Sequence, residues 1–499
     1  MLDPRFHPDV HKFLANPDKD LLIDGKPYTS SSDKRIDVLN PASGDVIATV
    51  PDASQADVDT AVNIARETFE SGTWSEMPPT ERERRLFKLA TVVEAHSEEL
   101  QHLIVAENGK LLSAAQREVA SAVRFIRYIA GWTTKITGET LDVSYTAPNM
   151  AYSAYTLREP LGVVVGITPW NFPLNMSIWK SISALACGNT VILKPSEETP
   201  LSALRLAEFA LEAEIPEGAL NVITGYGHNA GHALVSHPNV DKIAFTGSTA
   251  TGKKIGRSAL DNMTRVSLEL GGKGAVIVMP DADLSQVPVN IAKGIFYNQG
   301  QVCAAGSRLY VHRSHFNEVV ESVGTIAEKM QIGSGLDEGV QLGPLVSQVQ
   351  QESVLDYIQQ GLSDGAETAI GGQAIDHTGY FIEPTILVNT NHSMSVVREE
   401  IFGPVLVAMP FDDVDEVIHL ANDSQYGLGT AVFTNNLSHA QRMIKRLKSG
   451  SVYINSPVRN DPNLPFGGVK QSGYGREHGS SIIDTYTELK SVVIGYQKS

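Results

Sequence analysis

The chain has 499 residues, 42 % hydrophobic and 19 % charged, against roughly 25 % charged in an average globular protein. That composition excludes disorder as the main state, and the length suits two to four domains of about 100–200 residues. With 57 acidic and 40 basic residues the formal net charge is −17; such a surface repels phosphate backbones and anionic lipid, so a small molecule is the expected partner, not nucleic acid or membrane.

Two cysteines, Cys187 and Cys303, make no disulfide framework for this length and fit a reducing compartment. The amino end has no cationic stretch followed by an apolar run, so no signal peptide is expected. The longest nearly apolar run, 161–170, is about half of the ~20 residues a spanning helix needs. The expected location is the cytoplasm.

In chain order, residues 56–69, 81–96 and 113–129 have the spacing of amphipathic helices. Residues 141–158 are rich in Tyr, Thr, Ser and Val and read as an extended arm. From about residue 160 short apolar strands alternate with helices. Strand 161–167 precedes helix 174–186, and strand 190–193 precedes a helix over 201–214 that begins after Pro200. Strands 221–224 and 242–245 repeat the theme, the latter before helix 250–259. This is the pattern of a doubly wound parallel sheet, which takes ligands beyond the carboxyl ends of its strands. A second α/β run opens at Gly271-Gly272-Lys273-Gly274, with strand 275–279, and extends to about residue 475. The tail 486–496 is a second extended arm. Neither arm is long enough to fold alone; pairing with another subunit's sheet edge and a plain surface hairpin fit the sequence equally.

Several short segments have residue types suited to chemistry. Gly225-Tyr226-Gly227-His228-Asn229-Ala230 matches the dinucleotide fingerprint, but Phe245 stands where its acidic residue is expected. A tight turn that needs glycine accounts for it as well. Phe245-Thr246-Gly247-Ser248-Thr249 closes a strand and opens a helix, where free N–H groups suit a phosphate; Ser248 or Thr249 as a plain N-cap fits too. In Lys194-Pro195-Ser196-Glu197 the carboxylate suits two ribose hydroxyls and opposes a 2′-phosphate, though a solvated loop pair is the ordinary alternative. Cys303, flanked by Val302 and Ala304, fits an inert core position, and so does Cys187. Glu269 stands between two leucines at a strand end, where burial raises a carboxyl pKa and suits a general base; a turn cap is the alternative. Asn171 offers an amide to an oxyanion or is an ordinary turn residue. His7 and His11 are spaced i, i+4 without a third ligand nearby, and no metal is expected.

Taken together, Pro169-Trp170-Asn171-Phe172-Pro173, Lys194-Pro195-Ser196-Glu197, Phe245-Thr246-Gly247-Ser248, Leu268-Glu269-Leu270-Gly271-Gly272-Lys273, Asn298-Gln299-Gly300-Gln301-Val302-Cys303 and Glu399-Glu400-Ile401-Phe402-Gly403-Pro404 resemble, in order and spacing, the NAD(P)-dependent aldehyde dehydrogenase superfamily. Pro465-Phe466-Gly467-Gly468 and Lys470-Gln471-Ser472-Gly473 extend the resemblance, which runs from about residue 20 to 495. It implies Cys303 as nucleophile, Asn171 and the Cys303 N–H as oxyanion donors, and Glu269 as the base that activates water. It further implies an NAD site of Ile167, Trp170, Lys194, Ser196, Glu197, Gly227, Phe245, Gly247, Ser248, Glu269, Leu270, Glu400 and Phe402. Phe172, Met176, Trp179, Tyr297 and Phe466 would form the substrate tunnel. The implied domains are NAD-binding (1–140 and 160–270), catalytic (271–480) and oligomerisation arm (141–159 and 481–499), assembled as a homotetramer. Glu269 implies hydrolysis to the free acid, and Glu197 implies NAD over NADP. Residues 298–305 and 464–473 look most like bacterial phenylacetaldehyde dehydrogenases, which implies an aromatic aldehyde. Betaine aldehydes or aminoaldehydes are the alternative, because aromatic walls also attract cations. An inactive NAD-binding protein on this fold and a cofactor-free cysteine hydrolase are the readings from other classes.

Overall fold

The structure, a computed structural model, describes residues 2–498. Five strands, Arg265–Glu269, Lys242–Thr246, Val163–Ile167, Thr190–Lys194 and Leu220–Val222, lie side by side in that order and all parallel. Along Val163–Ile167 the side chains of Val163, Val165 and Ile167 enter one core and Val164 enters the other. Both faces are therefore buried, which is why these strands read as unbroken apolar runs. Helices Gln55–Glu70, Pro79–Ala95, Leu112–Ala130, Pro173–Ala186, Leu201–Glu212 and Thr249–Leu260 fall where the sequence places them, within one or two residues at most of their ends.

Chain order runs outward in one direction from Val163–Ile167 through Thr190–Lys194 to Leu220–Val222. It then returns to the other side for Lys242–Thr246 and Arg265–Glu269. The direction thus reverses between Val163–Ile167 and Lys242–Thr246, and their carboxyl ends part there to leave a crevice. The second sheet holds Thr385–Val388, Val405–Phe411, Arg308–His312, Ala275–Val278, Gly429–Phe433 and Ser451–Ile454 in parallel, with Glu367–Ile370 antiparallel at one edge. Ala275 pairs with Arg308 and Thr430, and Arg308 with Val407, so the strands begin level with one another. The loops that feed them, around Gly271, Cys303 and Glu400, consequently gather at one end. The crevice of the first sheet opens onto these loops.

Three features go beyond the sequence reading. First, the two extended segments, for which another subunit's edge and a surface hairpin fitted the sequence equally, pair with each other. Met150–Pro160 pairs antiparallel with Thr487–Gln497 over eleven residues, from Pro160 opposite Thr487 to Met150 opposite Gln497. Thr140–Leu141 completes that sheet, and its far edge is the tail strand. Second, part of the stretch assigned to the second unit belongs to the first. Gly473–Tyr474 pairs with Leu268–Glu269, and Phe466 is buried in the first unit's core, as are Ile482, Ile483 and Tyr486 from the stretch assigned to the arm. Hydrogen bonds of a two-residue strand leave no periodicity in a sequence, so this return crossing was not readable. Third, the amino-terminal region holds the strands Leu21–Ile23, Lys26–Tyr28, Arg35–Leu39 and Val46–Pro51 besides its helices. Among the described residues no helix is long and apolar enough to cross a membrane.

Candidate active site

Cys303 follows a turn that only a strained backbone can make. After the helix Val287–Phe296, Asn298, Gln299 and Gly300 take φ of 51°, 57° and 72° in succession. Left-handed geometry costs a non-glycine residue about 1–3 kcal/mol, so two such residues persist only where their surroundings hold them. Gly300 has no substitute: a Cβ there would lie 2.0 Å from the Gly403 carbonyl oxygen. The turn is held by the Asn298 amide, which donates to Asn171 O at 3.0 Å, and by Gln301 Oε1, which accepts from Val346 N at 3.0 Å. Cys303 emerges half-buried at the wall of a cavity of about 1180 Å³. Burial pushes its thiol up to about 12, and the nearby Glu400 and Glu269 carboxylates add to the effect. The thiol is thus protonated at neutral pH until a base or a positive charge assists it. Cys187 is raised to about 12 as well, by burial, but it lies in the core at the end of Pro173–Ala186. What separates the two is access, not acidity.

Asn171 lies in the bend between Val163–Ile167 and Pro173–Ala186, and one of its amide hydrogens is given to Gln301 O at 2.9 Å. The second amide hydrogen has no partner among the described residues. Its backbone is braced from behind, where Lys110 Nζ donates to Asn171 O at 2.8 Å and to Glu118 Oε2 at 2.6 Å. Glu118 Oε1 accepts from Leu174 N and Asn175 N at the start of the helix. Both members of this ion pair are fully buried, and breaking such a pair leaves an uncompensated charge worth about 3–5 kcal/mol. Lys110→Met is therefore expected to destabilise the protein by about that amount and to lower turnover by loosening Asn171. Thermal unfolding checks the first part, and an unchanged midpoint would remove the brace.

Glu269 ends the strand Arg265–Glu269 and is 5 % exposed, with neither carboxylate oxygen hydrogen-bonded among the described residues. Burial raises its pKa well above the ordinary 4.5; the Glu477 charge adds to this, and Lys180 and Arg476 oppose it. Glu400 is raised to about 7 by burial, against the pull of Gly272 N, which donates to its Oε1 at 2.9 Å, and of Lys273. Lys273 is lowered to about 7 by burial, and its Nζ has no partner among the described residues.

The wall also takes in Trp170, Gly247, Ser248, Leu270, Glu400 and Phe402, together with Phe172, Met176, Trp179, Tyr297 and Phe466. Trp170 and Phe402 meet edge to face at 5.2 Å, and Phe172 stacks on Tyr297 at 6.2 Å. Ser248 caps the helix Thr249–Leu260, its Oγ accepting from Thr251 N at 3.2 Å. Ile167, Lys194, Ser196, Glu197, Gly227 and Phe245 lie outside that wall. Lys194 is buried, donates to Pro195 O at 2.9 Å, and lies 3.7 Å from the half-exposed Glu197. Gly225 has φ of 143° and a Cβ there would lie 2.8 Å from the Ala230 Cβ, so close packing accounts for that glycine.

Sequence reasoning missed the Lys110–Glu118 brace, the wall residues Arg117, Arg124 and Arg459, and His478. The last packs edge-on against Trp179 with centroids 4.1 Å apart, and burial lowers it to about 4, so it is neutral. Only Arg117 and Arg124 left a signal, their seven-residue spacing on one helical face.

The family model described as the aldehyde dehydrogenase family matches residues 28–492. Phenylacetaldehyde dehydrogenase of Pseudomonas fluorescens is 50 % identical over 480 residues, which span 95 % of this chain and 96 % of that protein. The structure of an aldehyde dehydrogenase from Bacillus cereus in complex with NAD+ superimposes with a TM-score of 0.95 at 45 % identity, covering 98 % of this chain and 99 % of that one. Betaine aldehyde dehydrogenase from Staphylococcus aureus in complex with NAD+ follows at 0.94 and 35 % identity, over 97 % and 96 %. With the cysteine, the amide and the carboxylate gathered on one cavity, and the match spanning nearly the whole length, the chain belongs to the aldehyde dehydrogenase family.

Proposed function

We propose that the protein oxidises an aromatic aldehyde of the phenylacetaldehyde type to its free acid, with NAD as hydride acceptor and a thioester on Cys303. The observation that carries the reading is the single cavity whose wall joins Cys303, Asn171 and Glu269 to five aromatic or apolar tunnel residues. Cys303 Sγ attacks the carbonyl carbon. The oxyanion that forms takes hydrogen bonds from the spare Asn171 amide hydrogen and the Cys303 N–H, each contributing about 2.7–4 kcal/mol in the transition state. Glu269 takes the proton from the water that hydrolyses the thioester.

The donor set fits NAD. Ser248 opens a twelve-residue helix whose free N–H groups suit a pyrophosphate. Glu197, 34 % exposed, accepts no hydrogen bond among the described residues, its one cation contact being Lys194 at 3.7 Å, and suits a ribose diol at the adenine end. Glu400 has a second carboxylate oxygen left that would hold the nicotinamide ribose, and Trp170 and Phe402 would border the ring. Lys194, Ser196, Gly227, Phe245 and Ile167 complete the adenine side, with the unit of the first parallel sheet as the cofactor unit and that of the second sheet as the unit that supplies the nucleophile. Bound NAD supplies the hydride acceptor and a positive charge beside the thiol. The test is a kcat/KM panel over aromatic, aliphatic and amino aldehydes, with NAD and NADP in parallel. A preference for aromatic aldehydes and NAD is expected; a higher value for betaine aldehyde, or for NADP, would overturn the corresponding part.

We also propose a cytoplasmic homotetramer assembled through the arm. Leu489, Val493, Ile494 and Tyr496 on the edge strand are 49–53 % exposed, and an open edge of that length associates unless it is covered. Deleting residues 488–499 is expected to reduce both the assembled mass and the activity. Light scattering decides it, and an unchanged mass would refute the assignment.

A further inference from the structure

The outer wall of the cavity has a charge opposite to that of the protein as a whole. On the helix Leu112–Ala130, Arg117, Ser121 and Arg124 line the cavity at i, i+4 and i+7, while Ala115, Val119, Ala122 and Ile126 on the other face are buried. The Arg117 guanidinium lies over the Tyr297 ring, 5.2 Å from its centroid, and Tyr297 in turn stacks on Phe172. This charge therefore stands at the end of the aromatic tunnel. Arg459 comes from the loop after Ser451–Ile454, and Lys293 from the helix Val287–Phe296. All four line the cavity and are exposed, which puts them where it opens. Among the described residues none has a carboxylate within 4.0 Å.

The wall's own acids do not balance them. Glu118 is tied to Lys110, Glu269 is buried, and Glu400 is half-buried with Gly272 N on its Oε1. An outer acid, Asp461, feels the Arg124 charge but uses Oδ1 to accept from Asn463 N and Nδ2, both at 2.9 Å. In a chain of net charge −17 the opening of this cavity is thus rimmed by unpaired cations. We infer that this rim is a specificity device: it favours aldehydes that bear an anionic group, a carboxylate above all, at the end remote from the carbonyl, and it disfavours cationic aldehydes. The inference rests on the reading of Cys303 as the group that receives the aldehyde. Guanidinium groups match a carboxylate in geometry as well as charge. Low-dielectric walls focus their field, and the same field repels an ammonium group.

The test uses the full-length enzyme with NAD and three arylacetaldehydes: unsubstituted, para-carboxylate and para-trimethylammonium. At low ionic strength the carboxylate compound should exceed the ammonium compound in kcat/KM by about tenfold or more. The gap should narrow as salt shortens the screening length. In the double variant R117E/R124E the carboxylate-to-ammonium ratio should fall at least tenfold and pass below one. An ammonium compound turned over as well as the carboxylate by the wild type overturns the inference. So does a ratio unchanged in a double variant with unaltered thermal unfolding. If that variant does not fold, the salt dependence of the wild-type ratio decides: a ratio independent of salt refutes the rim. Wild-type enzyme that reduces NAD with none of the three compounds would overturn the aromatic-aldehyde reading, and the rim with it.

Discussion

Replacing Cys303 with alanine should lower aldehyde oxidation by at least about a thousandfold, together with any esterase side reaction, while NAD binding stays measurable. The expectation rests on access: of the two thiols, both raised to about 12, only Cys303 lines the cavity that Asn171 and Glu269 share. Removing one sulfur from a half-buried position leaves the strained turn before it intact. The residues proposed to hold NAD, Trp170 among them, are untouched. Stopped-flow fluorescence with NAD and a 340 nm assay with the aldehyde read the two functions separately. Retention of a few per cent of turnover, contamination excluded, would remove Cys303 as nucleophile.

Glu269→Gln should divide the reaction in two. Glutamine keeps the shape of the carboxylate but neither its charge nor its basicity, so acyl transfer to Cys303 should proceed while release of the acid slows by about 10²–10⁴. Rapid mixing should show a burst of NADH near one per active site, followed by slow turnover. The pH profile gives a second readout. Burial holds the Glu269 carboxyl protonated to well above pH 4.5. A protonated carboxyl is no base, so wild-type kcat should climb as pH rises through that raised pKa, and the variant should lack this limb. Loss of the burst itself would assign the carboxylate chiefly to deprotonating Cys303.

The fold was legible where packing imposes a period. Val163–Ile167 and Thr190–Lys194 are buried on both faces and stand out as apolar runs, and Gln55–Glu70 and Leu112–Ala130 show one apolar stripe. It was illegible where only a few backbone hydrogen bonds decide. Gly473–Tyr474 crosses back to the first sheet on two residue pairs, and the arm finds its partner some 330 positions away in Thr487–Gln497. The site followed the same rule. Segments with glycine, proline and a chemically suited residue could be picked out singly, and their joint spacing carried the resemblance. Lys110 and Glu118 could not, because a lysine in a connection and a glutamate eight residues on in the next helix look solvated until both prove to be fully buried. Arg459 lies in a loop whose sequence says nothing of the cavity it borders.

The most direct measurement is to mix Glu269→Gln with NAD and phenylacetaldehyde, quench in acid within the burst, and map the acyl group by peptide mass spectrometry. The phenylacetyl mass should sit on the peptide that contains Cys303, at a stoichiometry equal to the NADH released, and should vanish on treatment with hydroxylamine. Acylation of any other residue, or a full equivalent of NADH with no acylated peptide, would contradict a thioester on Cys303.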